Sequence, residues 1–163
     1  ACSGSGSAMP EFMVNPPKAE GKIFGSGTAE KSSFQLAKEA ADTRACREVG
    51  RVLDQRVKSV LKDFMSESGA DVESAEVLEF VESTSKAVTD VQMAGCTIKE
   101  REHKAGDAQT HTVYSLAEYD LSASKQLVKD MAHKNLATKE ALYNRLRADQ
   151  AFEKLDVELD KLK

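Results

Sequence analysis

Between Phe34 and Phe64, apolar residues recur at mostly every third or fourth position: Phe34, Ala37, Ala41, Ala45, Val49, Val52, Leu53, Val57, Val60 and Phe64. Charges fill the intervening positions, among them Lys38, Glu39, Asp42, Arg47, Glu48, Arg51, Asp54, Lys58 and Lys62. This spacing predicts a long amphipathic helix with one stripe on a core and a solvated opposite face. Ser32 or Ser33 can cap its start, and the stretch ESGAD at 67–71 can end it. A second helix is predicted over 72–93 from Val77, Phe80, Val81, Val88 and Val91, with Asp71 as a possible N-cap. Its β-branched content leaves a strand open there.

Elsewhere the period changes to two. A first strand is predicted over 22–27. Residues 96–103 alternate Cys96 and Ile98 against Thr97, Lys99 and Arg101, and 110–120 is rich in Thr, Val and Tyr. With a turn through Gly106 and Asp107, these two stretches read as a β-hairpin. From Ser122 the pattern is helical to the end, interrupted near 135–138. Its last part spaces Ala148, Phe152, Leu155, Leu159 and Leu162 by fours and threes, a seam suited to homo-oligomerisation through Phe152, Leu155, Leu159 and Leu162. The same stripe is equally suited to folding back on its own domain. One strand and a hairpin need helices to cover one face. The expected fold is therefore α+β: a two-layer domain with a three-stranded antiparallel-type sheet covered by long helices, plus a C-terminal helix. The expected division is 1–20 as a flexible tether, 21–121 as the α+β domain and 122–163 as a C-terminal amphipathic helix. Pro16 and Pro17 bar a helix at the end of the tether, whose mean reach as a random coil is roughly 20–25 Å.

The chain has 163 residues, enough for one core, and a net charge of −4, which gives no electrostatic footprint for nucleic acid. No apolar run approaches the ~18 residues of a membrane span. No signal peptide is seen, and the first residue is not Met, so a processed form is expected. Three cysteines, Cys2, Cys46 and Cys96, make an odd count. If Cys2 is modified, Cys46 and Cys96 can pair. They can also be two separate small hydrophobes in the core, the reading that the sequence favours.

Candidate chemistry is sparse. FGSGTAE resembles a phosphate-binding turn, with Gly25 and Gly27 between a strand and the start of a helix. That arrangement would suit a small ligand or nucleotide. Glu30 stands where a dinucleotide fingerprint wants its third glycine, and no Gly-Lys-Ser/Thr follows, so a packing turn is the simpler expectation. His103 and His111 fall on the two arms of the hairpin and can approach each other, but two imidazoles alone make a poor metal site. No Gly-x-Ser-x-Gly elbow occurs. The expectation is a protein with no catalytic residue, no metal and no cofactor.

The stretch NPPKAEGKIFGSGTAEKSSFQLAKEAADTRACREVGRVLDQRVKSVLKDF resembles the opening of the LPP-twenty family of bacterial outer-membrane lipoproteins, as do VLEFVESTSKAVTDVQMAGCTI and TVYSLAEYDL further on. The likeness covers roughly residues 10–121, and 122–163 lies outside it. It implies export, an α+β domain at the cell envelope, envelope proteins as partners and no enzymatic reaction. It also gives Ala1-Cys2 a meaning. A small residue before cysteine is the boundary at which lipoprotein signals are cut, so Cys2 becomes the expected lipid attachment site and the outer-membrane bilayer the expected partner. Ser3, rather than Asp, leans toward the outer membrane. The rival reading of Gly4 to Met9 is a vector linker.

Overall fold

A computed structural model of the chain describes residues 9–106, 109–146 and 148–162. The elements follow the order α1 (Glu11–Val14), β1 (Lys22–Lys31), α2 (Phe34–Glu67), α3 (Ala75–Gln92), β2 (Thr97–Ala105), β3 (His111–Asp120), α4 (Ser124–Ala137), α5 (Glu140–Leu146) and α6 (Ala148–Leu159). The three strands form one antiparallel sheet in the order β1-β3-β2. The fold is the expected α+β arrangement with a C-terminal helix.

The chain divides into two compact units built from interleaved segments, so the boundary does not fall between 121 and 122. Of the described residues, the first unit takes 9–19, 24–49, 96–106 and 109–119. It holds nearly all of the sheet and the first half of α2. Odd-numbered β1 residues face inward, and Ile23, Gly25, Gly27 and Ala29 are buried in alternation with their neighbours. A tight cluster of Ala29, Ala37, Ala41 and Val113 lies between helix and sheet. Strand β2 pairs with β3 from Thr97↔Glu118 to Ala105↔His111, with a bulge between Ile98 and Glu100.

Of the described residues, the second unit takes 20–23, 50–95, 120–146 and 148–162. Here the second half of α2 contributes Leu53, Val57, Leu61, Phe64 and Met65 to a core shared with Val77, Phe80 and Val88 of α3, and with Val128, Ala132 and Leu136 of α4. Helix α2 stops where Gly69 adopts φ +78°. Backbone bonds from Gly69 N–H to the Ser66 carbonyl and from Ala70 N–H to the Met65 carbonyl close that end.

Three local expectations change. β1 runs to Lys31, four residues past Gly27. Helix α3 begins after Ser74, whose hydroxyl accepts the Val77 N–H. Asp71 instead accepts the Glu73 N–H, fixing the turn just before it. The flexible-tether reading fails over the second half of 1–20. Residues Glu11–Val14 form a helical turn, and Phe12 is buried in the first unit. A single aromatic is enough to dock such a strap, because burying a Phe side chain contributes ~1.5–3 kcal/mol.

Candidate functional site

Gly25 and Gly27 lie inside β1, and no phosphate-type turn exists there. Helix α2 crosses them so closely that a Cβ on Gly25 would stand 2.5 Å from the Ala45 carbonyl oxygen, and one on Gly27 would stand 2.4 Å from both the Ala41 oxygen and the Ala45 nitrogen. The space that a phosphate would need is filled by helix backbone, which corrects the ligand-binding reading of this stretch. The glycines let a strand and a helix touch main chain to main chain.

On the same stretch of α2, next to Ala45, Cys46 meets Cys96 just before β2. The two form a disulfide with a Cα–Cα separation of 6.0 Å, closing a loop over a sequence separation of 50. The expectation of two separate buried thiols is thereby corrected. Closing a loop of that length stabilises the fold by about 4 kcal/mol in the chain-entropy account.

The third tie is polar. Asp42 of α2 accepts a bidentate pair of bonds from Arg101 of β2, both 2.8 Å, and a third bond of 2.7 Å from Ser115 of β3. Burial would raise the Asp42 pKa, but donation from Arg101 and Ser115 outweighs it and holds the carboxyl below its usual value. The periodicity put Asp42 on the solvated face. It belongs instead to the face that meets the sheet, one position from Ala41, so hydropathy alone misses it.

At the far end of the hairpin, His103 Nε2 and His111 Nδ1 lie 3.0 Å apart, one ring donating and the other accepting. Phe34 packs edge-on to His103, with ring centroids 4.8 Å apart. The hairpin thus brings the two histidines together as the sequence allowed. Among the described residues, no group of three or more His, Cys, Asp or Glu is arranged to hold a metal. Phe34 sits at this corner 44% exposed, outside the buried stripe to which its spacing assigned it.

The C-terminal stripe is spent within the second unit. Phe152, Leu155, Leu159 and Leu162 are all buried, and Phe152 lies between Phe64 and the His133 ring, which stacks on it at 4.2 Å. A seam already covered by its own core cannot also carry homo-oligomerisation, and that expectation is corrected. Cys2 lies outside the described residues. No helix among the described residues is long and apolar enough to cross a membrane. No family model, curated protein or solved structure matches this chain.

Proposed function

We propose that this chain is an envelope lipoprotein, anchored to the outer membrane by acyl chains on Cys2. Its α+β domain acts there as a non-catalytic structural or assembly component among envelope proteins. The observation that carries this reading is the Cys46–Cys96 bond. Disulfides persist in exported proteins and are rare in reducing compartments. Pairing these two also leaves Cys2 as the odd one of three cysteines. The Ala1-Cys2-Ser3 sequence and the resemblance to the LPP-twenty family support the same assignment. A single acyl chain holds a protein only marginally, so a stable anchor takes more than one.

Intact and peptide mass spectrometry of protein from its native host, combined with membrane fractionation, tests this directly. The Cys2 peptide is expected to carry several acyl chains and the protein to partition with the outer membrane. The Cys46 and Cys96 peptides are expected to separate only on reduction. An unmodified Cys2 would remove the anchor, and reduced Cys46 and Cys96 in the native protein would remove the argument for export.

A further inference from the structure

The two edges of the sheet are treated differently by the sequence. β2, at one edge, carries Lys99, Glu100, Arg101, Glu102 and Lys104 among its nine residues and a bulge between Ile98 and Glu100. Charges and bulges are devices that keep an edge from pairing. β1, at the other edge, is ten residues long and uncharged from Ile23 to Ala29. Leu121 donates its N–H to the Gly21 carbonyl, and Thr112 donates its hydroxyl to Glu30, which sets β1 antiparallel to β3. In that register the odd residues of β1 bond to β3. Phe24, Ser26, Thr28 and Glu30 turn their N–H and C=O groups to the open edge. The Arg44 guanidinium accordingly reaches the Thr28 carbonyl from the edge side.

We propose that this edge pairs with β1 of a second copy of the chain, antiparallel about a two-fold axis at Ser26. In this register Lys22 stands opposite Glu30 of the second copy, Phe24 opposite Thr28, and Ser26 opposite itself. Each even residue exchanges both backbone bonds with its partner. The charge match carries the choice of occupant: on the face of β1 opposite its buried odd residues, Lys22 stands near one end beside Asp120 and Glu30 near the other, while Lys31 lies on the odd face, so antiparallel self-pairing places Lys22 and Glu30 together twice. Beside the edge runs a groove of about 560 Å³ lined by Leu36, Ala40, Thr43 and Arg47. These lie on one face of α2 at spacings of four, three and four, and Leu36 is 55% exposed. The small residues Ala40 and Thr43 let the α2 helix of the second copy approach, and Glu39 offers an anion to the cations Lys31, Arg44 and Arg47 that complete the lining. Arg44 covers one carbonyl in the single chain and yields it to the Phe24 N–H of the second copy.

This inference stands apart from the lipid anchor and is tested on the full chain carrying Cys2→Ser, which excludes intermolecular disulfides. Sedimentation equilibrium at micromolar concentration is expected to give twice the chain mass. Lys22→Glu and Glu30→Lys each place like charges opposite one another at both ends and should weaken the dimer roughly tenfold. The double exchange restores the match and the affinity. Circular dichroism checks that each variant folds. Leu36→Asp, an exposed change on the neighbouring helix, weakens the dimer without touching the strand and serves if a strand variant fails to fold. A chain that stays monomeric, a dimer indifferent to Leu36→Asp and both single reversals, or a double exchange as weak as the singles would each overturn the proposal.

Discussion

In the sheet-bearing unit, the residues that hold α2 in place are small, polar or covalent: Gly25, Gly27, the Asp42–Arg101–Ser115 knot and the Cys46–Cys96 bond. In the helical unit, the same α2 is held by large apolar side chains, with Leu53, Phe64, Phe80, Leu136 and Leu155 all fully buried. Ion pairs there, such as Lys139–Glu79 and Lys58–Glu82, sit on the outside. One helix thus serves two kinds of packing along its length. Main-chain contact admits no change in volume but depends little on apolar area. Side-chain contact stabilises through area and tolerates modest repacking.

The largest difference between the two should appear on adding a side chain. Gly27→Val would press its Cβ onto the Ala41 oxygen and the Ala45 nitrogen, both 2.4 Å away. Overpacking against side chains costs roughly 1–3 kcal/mol. Here the obstacle is helix backbone, and the loss should exceed that range, so that the variant is recovered unfolded. Thermal unfolding followed by circular dichroism decides it. A cooperative transition near that of the parent chain would show that strand and helix can separate at no great cost.

Next in size come removal of the covalent tie and removal of core volume. Reducing Cys46–Cys96 should lower stability by about 4 kcal/mol, while Leu155→Ala in the helical unit should cost about 2–5 kcal/mol. The two are distinguished by where protection is lost. Hydrogen exchange after reduction should rise first along β2 and the first half of α2, whereas Leu155→Ala should loosen α6 and leave the β2–β3 ladder protected. Leu155→Ala should also leave the mass in solution unchanged, because the side chain is enclosed by its own unit.

How far each unit could be read from the sequence follows the same contrast. Packing by large apolar side chains leaves a period, and the stripe from Val49 to Phe64, the α3 stripe and the C-terminal heptad all announced their elements. What the period could not say was against what the C-terminal stripe would lie. Two heptads suit a partner helix and a domain core alike, and the choice in favour of Phe64 and His133 was made by tertiary packing. Packing by main chain leaves no hydropathy signal, so Gly25 and Gly27 read as a turn when they are strand. Asp42 read as solvated because a carboxylate next to an alanine on a helix flank looks the same whether or not an arginine awaits it. The strap carrying Phe12 was hidden by composition. Its neighbours are Ser, Gly and Pro-rich, and one buried aromatic does not make a periodic pattern.

A smaller effect separates the units by pH. Asp42 has its folded pKa held below the unfolded value, so it binds fewer protons in the native state across the intervening range. Its stabilisation is therefore complete above the unfolded carboxylate value and is lost as pH falls through the folded one. Asp42→Asn should flatten that part of the acid unfolding curve and lower stability at neutral pH by about 1–2 kcal/mol. Urea titrations at pH 7 and at successive acid values measure both. An acid slope unaltered by the substitution would mean that other carboxylates set it.

The smallest expected effect falls on the surface of the helical unit. Lys129 reaches Asp156 at 2.7 Å, and Lys125 reaches Asp160 at 2.9 Å, tying α4 to the end of the C-terminal segment. Their distances match those of the Asp42 knot, but each pair is a single bond and its carboxylate is open to water. Each ion forgoes hydration and side-chain freedom for a contact that solvent screens. Lys129→Ala should therefore shift stability by no more than ~0.5 kcal/mol, and raising the salt concentration should erase most of that. A loss near that of Asp42→Asn would show that α6 depends on its rim charges as much as on Phe152 and Leu155. The division between a unit held by polar and covalent ties and one held by apolar burial would then not describe this molecule.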